Sequence, residues 1–117
     1  MIKNSMIYTP EIISFHCQDI DNLENWRAKD PFRIDLWIIV DVMIYNSDKI
    51  LRCEAHILSS KLLKQVKKQE YLFISDCFNC FSDFKDVLSA AAINCSSEDL
   101  KTTLKNLSKA FKITNER

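Results

Sequence analysis

The chain of 117 residues contains no glycine. Gly-rich phosphate loops, dinucleotide fingerprints and the G-x-S-x-G nucleophile elbow need backbone that passes close to a ligand or takes a positive φ. The sequence excludes these sites and thereby argues against many nucleotide-dependent and hydrolytic enzymes. Turns must instead use Asn, Asp and Ser, which tolerate left-handed conformations better than other non-glycine residues.

Length and composition predict one globular domain over residues 1–117. A chain of this size forms a single core, and 47% hydrophobic with 27% charged residues is typical of globular proteins. No apolar run approaches the roughly 18 residues of a membrane span, and the N-terminus lacks the apolar stretch of a signal peptide. We therefore expect a cytoplasmic protein without a membrane partner, whose five cysteines are reduced.

A period-two pattern dominates the middle of the chain. Over residues 32–45 every even position is apolar, which predicts a long half-buried strand. Residues 50–58 carry apolar side chains at odd positions, and Asn46–Lys49 lies between as a turn. If this turn is a four-residue loop, paired residue numbers sum to 95, and apolar side chains oppose one another on one face. The sequence predicts a long β-hairpin over about 32–58.

The remaining segments predict an α+β fold. Alternation over 11–17 and 71–76 predicts two further strands, and the polar segment 18–31 predicts a connecting loop. The predicted helices are a short one over 61–69 capped by Ser59 or Ser60, one capped by Ser82 with Phe84, Val87, Leu88 and Ala91 as its apolar stripe, and a last one opened by Ser96 or Ser97 with Leu100, Leu104, Leu107 and Phe111. The predicted architecture is a small antiparallel or mixed sheet with two C-terminal helices packed on one face.

Cys77 and Cys80 form a C-x-x-C pair where a predicted strand ends and a helix begins. A zinc site needs a second ligand pair, and only Cys95 follows. A thioredoxin-like pair usually carries Gly or Pro between its sulfurs, whereas Phe78 and Asn79 stand there. We therefore interpret the pair as packing at a strand–helix junction, and we expect no metal and no cofactor.

Both histidines, His16 and His56, lie in predicted strands. A spacing of three residues on a strand directs side chains to opposite faces, which separates Cys53 from His56. We therefore expect no Cys–His nucleophile pair, no catalytic residue and no enzyme.

The charges are segregated along the chain. Residues 1–48 hold eight acidic against four basic residues, and residues 49–70 hold six basic against two acidic ones. Distinct acidic and basic surfaces would produce this pattern, and so would solvated helix faces. Lys61, Lys64 and Lys68 share one predicted helix face that could bind phosphates. No arginine cluster or aromatic platform accompanies them, which argues against a nucleic acid as the partner.

The outer face of the predicted hairpin mixes aromatic and charged side chains. Trp37 lies on it, and the predicted register places Asp41 directly opposite Glu54, a destabilising pair that Arg52 partly offsets from the diagonal position. Aromatic anchors beside arginine are typical of protein-binding patches. A helix or the N-terminal segment could instead cover this face, and both interpretations stay open.

The order and spacing of these segments resemble the immunity protein 8 family of polymorphic toxin systems, which includes contact-dependent growth inhibition systems. The resemblance covers nearly the whole chain and runs through the segments PEIISFHCQDIDNLENW, DPFRIDLWIIVDVMI, CEAHILSSKLL and YLFISDCFNCFSDFKDVL. Trp26 and Pro31–Phe32 match the loop of that pattern, and Leu62 or Leu63 matches its short helix.

The resemblance implies an immunity protein that binds and neutralises the C-terminal domain of a cognate toxin in the cytoplasm, without catalysis. Many such toxins are nucleases with basic clefts, and an acidic partner surface then gives fast, steered association. The candidate partner-binding residues are Asp19, Asp21, Glu24 and Trp26 in the loop, and Asp35, Trp37, Asp41 and Glu54 on the hairpin. Two alternatives remain: the lysine face meets an acidic toxin, or the chain is a small protein-interaction or nucleic-acid-binding module.

Overall fold

The computed structural model describes residues 7–67 and 69–116. The five strands are β1 (Pro10–His16), β2 (Asp35–Ile44), β3 (Ile50–Ser59), β4 (Leu72–Ser75) and β5 (Lys112–Glu116). The helices are α1 (Phe81–Ile93) and α2 (Leu100–Ala110), with two short 3-10 helices at Leu23–Asn25 and Ser60–Gln65. This arrangement confirms the predicted α+β class and the long hairpin, which is β2 and β3.

The five strands form one mixed sheet. The order β1-β2-β3 is antiparallel throughout. The other edge of β3 is shared, because β4 pairs parallel with its second half and β5 pairs antiparallel with its first half. The sequence did not predict β5, which follows α2 directly and returns the chain to the edge of β3.

The β2–β3 register differs from the predicted one by two residues. Asp41 lies opposite Arg52, so paired residue numbers sum to 93. The connection is the five-residue segment Tyr45–Lys49, in which Asn46 has a φ of 67°, a left-handed conformation that asparagine tolerates. A shift of two keeps every side chain on its predicted face, but the predicted contact between Asp41 and Glu54 is wrong.

The core lies between one face of the sheet and both α-helices. Its sheet side consists of even-numbered side chains of β2 and odd-numbered side chains of β3, as the alternation predicted. The fully buried members are Ile38, Val40, Val42, Ile44, Cys53, Ala55 and Ile57 from the sheet, Phe84, Leu88 and Ala92 from α1, and Leu107 and Phe111 at the end of α2. The two helices therefore pack on the same face, as expected.

The helix starts differ from the predicted serine caps. Cys80 is the N-cap of α1, and Asp83 completes a reciprocal capping box with it. Asp99 caps α2, because its carboxylate accepts hydrogen bonds from the backbone N–H groups of Lys101 and Thr102. A carboxylate at these positions also complements the positive end of each helix dipole.

Ser59 closes the segment before β2 onto the end of β3. Its Oγ accepts a hydrogen bond from the N–H of Ile34 at 2.9 Å and donates to the carbonyl of Pro31 at 3.1 Å. Its own N–H donates to the carbonyl of Ile34 at 2.8 Å. Ser59 is the N-cap residue of the 3-10 helix that replaces the predicted helix, as one of the two predicted alternatives, but its side chain makes no capping hydrogen bond. Lys68, part of the predicted lysine face, lies outside the described residues.

The described helices are short. α1, the longest of them, has 13 residues. Within residues 7–67 and 69–116, no helix has the length and apolar character needed to cross a membrane.

Candidate functional site

The face of the sheet opposite the helices carries the odd-numbered side chains of β2 and the even-numbered side chains of β3, and we call it the open face. Trp37 is 43% exposed there, although its side chain is large and aromatic. Neither α1 nor α2 covers this face, since both pack on the other one. The alternative that the N-terminal segment covers it concerns residues 1–6, which lie outside the described residues.

Trp37 is held in place by the residue opposite it in the sheet, His56. Their rings stack with centroids 4.5 Å apart and planes 14° apart. The Nε2 of His56 lies 2.5 Å from Oδ1 of Asp35, and because a carboxylate only accepts, Nε2 carries the proton and donates. His56 is 4% exposed and its Nδ1 is buried with no hydrogen-bond partner in the described chain. The result is a pre-ordered indole whose other side meets solvent.

A groove of about 370 Å³ runs beside this indole, and we call it the Trp37 groove. Three carboxylates and one ammonium group meet in it, together with two apolar side chains. Its main lining residues are Asp19, Asp35, Trp37, Ile39, Glu54 and Lys112. The side chains of Asp19 and Glu54 make no hydrogen bond or ion pair with any other described residue. The structure thus brings one residue of the predicted loop patch together with three of the predicted hairpin patch.

Asp41, the fourth predicted hairpin residue, does not line the groove. It is 8% exposed, and it accepts hydrogen bonds from Arg52 Nε at 3.0 Å, Arg52 Nη2 at 3.2 Å and Ser14 Oγ at 2.6 Å. The hydrogen bonds from Arg52 to Asp41 and the charge of Asp41 raise the pKa of Arg52. Asp41 therefore ties β1, β2 and β3 together.

The rest of the predicted loop patch lies elsewhere. Asp21 and Glu24 are exposed and line a separate depression beside His16. Trp26 is half-buried, with its ring 5.7 Å from that of Phe84 on α1. The loop therefore does not present one continuous acidic patch, because only its first carboxylate, Asp19, reaches the Trp37 groove.

The C-x-x-C spacing does not build one site. Cys77 and Cys80 line two different depressions, and both thiols are free. A hydrogen bond with the Ser82 hydroxyl lowers the pKa of Cys80. In the part of the chain that the structure describes, no cluster of His, Cys, Asp and Glu is gathered closely enough to hold a metal ion.

Sequence reasoning missed two features of the groove. Lys112 was missed because β5 was not predicted; the signal was the β-branched pair Ile113-Thr114 directly after α2. The stacking of Trp37 on His56 was missed because the predicted register placed a different residue opposite the indole. Comparisons of this chain with protein-family models, curated proteins and solved structures gave no match.

Proposed function

We propose that this chain is an immunity protein that binds and neutralises a cognate toxin domain in the cytoplasm of the producing cell, without catalysing a reaction. The observation that carries the proposal is the open face, where Trp37 is held against His56 at the edge of an acidic groove. The resemblance to the immunity protein 8 family supplies the class of partner.

The stacked indole suits a binding surface for energetic reasons. Aromatic side chains supply large contact area and dominate interface affinity. Fixing a side chain on binding costs about 0.5–1.5 kcal/mol. The stack on His56 already restricts the Trp37 side chain before binding, so less of this entropic cost remains. Trp37 is therefore expected to be an affinity anchor of the interface.

The charge of the same surface supports a basic protein as the partner. Asp19, Asp35 and Glu54 would attract the basic cleft of a nuclease toxin and raise its association rate. The same carboxylates would repel nucleic-acid phosphates, which favours a protein over a nucleic acid as the partner.

The test is a growth assay. The C-terminal region of the protein encoded immediately upstream, the expected toxin, is expressed inducibly, with and without the chain. Growth is expected to return with the wild-type chain and to be lost with Trp37→Ala. The matched control is Ile93→Ala, which truncates an apolar side chain of 51% exposure on α1. Urea unfolding of both variants separates lost binding from lost folding.

Two results would contradict the proposal separately. A toxic domain whose effect the wild-type chain does not relieve argues against neutralisation. Rescue that Trp37→Ala and Glu54→Gln both leave intact means that neutralisation uses a surface other than the open face.

A further inference from the structure

We propose that the Trp37 groove binds an arginine side chain of the partner, with the guanidinium lying on the exposed indole and paired to the groove carboxylates. The partner itself, a toxin domain, rests on the proposed function above. The chemistry of the bound side chain rests on the groove alone.

The charge balance of the groove calls for a cation. Its three carboxylates meet one ammonium group, that of Lys112, and neither Asp19 nor Glu54 is paired to another described residue. Docking of a protein over this surface removes water from these carboxylates, and an unpaired buried charge is costly. With a neutral or acidic partner segment only Lys112, which lies opposite Glu54, would offset that cost, whereas a basic segment would offset the remaining charge.

The shape of the groove favours arginine over lysine. The planar guanidinium stacks on indole faces and pairs with carboxylates through two parallel hydrogen bonds, while lysine offers a compact point charge. One side of Trp37 is occupied by His56 and the other remains open. Glu54 lies in the same open face, opposite Ile39, whose apolar side chain can cover the arginine stem.

The size of the groove and the arrangement of its carboxylates argue against other occupants. A volume of about 370 Å³ is near the lower end of the roughly 300–1,000 Å³ of ligand pockets, which suits one long side chain rather than a folded element. Within the described residues the carboxylates are not gathered into a metal-holding cluster, so a divalent ion would not bridge them.

The test uses three short peptides as probes: tri-arginine, tri-lysine and tri-citrulline. Binding to ¹⁵N-labelled chain is followed by NMR at the two indole N–H signals. Tri-arginine is expected to shift the Trp37 signal and to leave that of Trp26, which packs on α1. Tri-citrulline, similar in shape but uncharged, is expected to give no shift. Tri-lysine is expected to bind at least about threefold more weakly, since it lacks the stacking and bidentate contacts.

Charge variants locate the binding. Glu54→Gln is expected to weaken tri-arginine binding by at least about threefold, the range of one exposed ion pair. The matched control, Glu98→Gln, removes an exposed carboxylate before α2 and is expected to change nothing. Equal affinities for arginine and lysine peptides, a shift at Trp26 instead of Trp37, or no effect of Glu54→Gln would each overturn the proposal.

The peptide assay needs no toxin, so its result is independent of the growth assay. Arginine binding at Trp37 without growth rescue overturns the proposed function and supports the arginine-binding proposal. Rescue that requires Trp37, combined with no arginine response, supports the proposed function and overturns the arginine proposal.

Discussion

Removal of the Ser59 hydroxyl should destabilise the protein although it deletes a single oxygen atom. Ser59 is fully buried, and its Oγ is the acceptor for the backbone N–H of Ile34. Ser59→Ala leaves that N–H without its partner at a fully buried position. Ile34 directly precedes Asp35 and lies close in sequence to Trp37. The substitution therefore also tests whether this hydrogen bond helps to position the two groove residues.

The expected magnitude follows from the two hydrogen bonds of the hydroxyl. A buried N–H left unsatisfied costs about 1–3 kcal/mol, and Ile34 is only 8% exposed. The Pro31 carbonyl loses less, because it also accepts from the N–H of Phe78 at 3.0 Å. We expect a loss of about 2 kcal/mol in the free energy of unfolding. With a denaturant slope of about 1.5 kcal/mol per molar, the urea midpoint falls by roughly 1.3 M.

The assay is urea unfolding monitored by tryptophan fluorescence, with amide hydrogen exchange at Ile34 as a local readout. The matched control is Ser60→Ala, whose hydroxyl donates to the exposed carboxylate of Asp76 at 2.7 Å. That substitution should cost less than about 0.5 kcal/mol. Equal midpoints for the two variants, or unchanged exchange at Ile34 in Ser59→Ala, would refute the reasoning.

Three further predictions concern the thiols and the core. Burial raises the pKa of Cys53 to about 12 from 9.0, so above pH 9.0 the folded state keeps a proton that the unfolded state loses. The stabilisation is fully present below pH 9.0 and is lost as the pH rises towards 12. The free energy of unfolding falls by up to about 1.4 kcal/mol per pH unit in that window. Urea titrations should show Cys53→Ala with a flatter slope in that window, and an unchanged slope contradicts the assignment. Iodoacetamide at neutral pH should modify Cys80 well before Cys53. Ser82→Ala should slow the modification of Cys80, because the Ser82 hydroxyl lowers the pKa of that thiol. Peptide mass mapping that finds Cys53 modified first contradicts this prediction. Leu88→Ala should cost about 3 kcal/mol in urea unfolding because the side chain is fully buried, whereas similar losses for Leu88→Ala and the 46%-exposed neighbour Val87→Ala would show that α1 packs through a different face.

The hairpin was predictable from the sequence, but its register was not. A two-residue slip leaves every side chain on the same face, so the apolar alternation of β2 and β3 is equally satisfied by sums of 93 and 95. The position of the turn decides between them: the N–H of Ile44 donates to the carbonyl of Lys49 at 3.2 Å, and Asn46 takes a left-handed conformation inside the turn. Charge supplied a discriminating signal, because only the observed register places Asp41 opposite Arg52 instead of Glu54.

The candidate groove was half predictable. Alternation alone placed Asp35, Trp37 and Glu54 on one face, since that depends only on parity. The approach of Asp19 depends on the path of an irregular loop, and that of Lys112 depends on a strand of five residues. The positions of both residues are set by long-range packing, which local sequence patterns do not predict.

The shared edge of β3 has a consequence for how the molecule reaches its native state. β2 and β4 lie close to β3 in the chain, whereas β5 must return after α1 and α2. Pairing at such sequence separation forms late and slowly. Until β5 docks, the first half of β3 is an unpaired edge next to an apolar core, a surface on which partly folded chains associate. Expression conditions that slow the final docking step, or changes that weaken β5, are therefore expected to produce aggregates before they produce unfolded monomer.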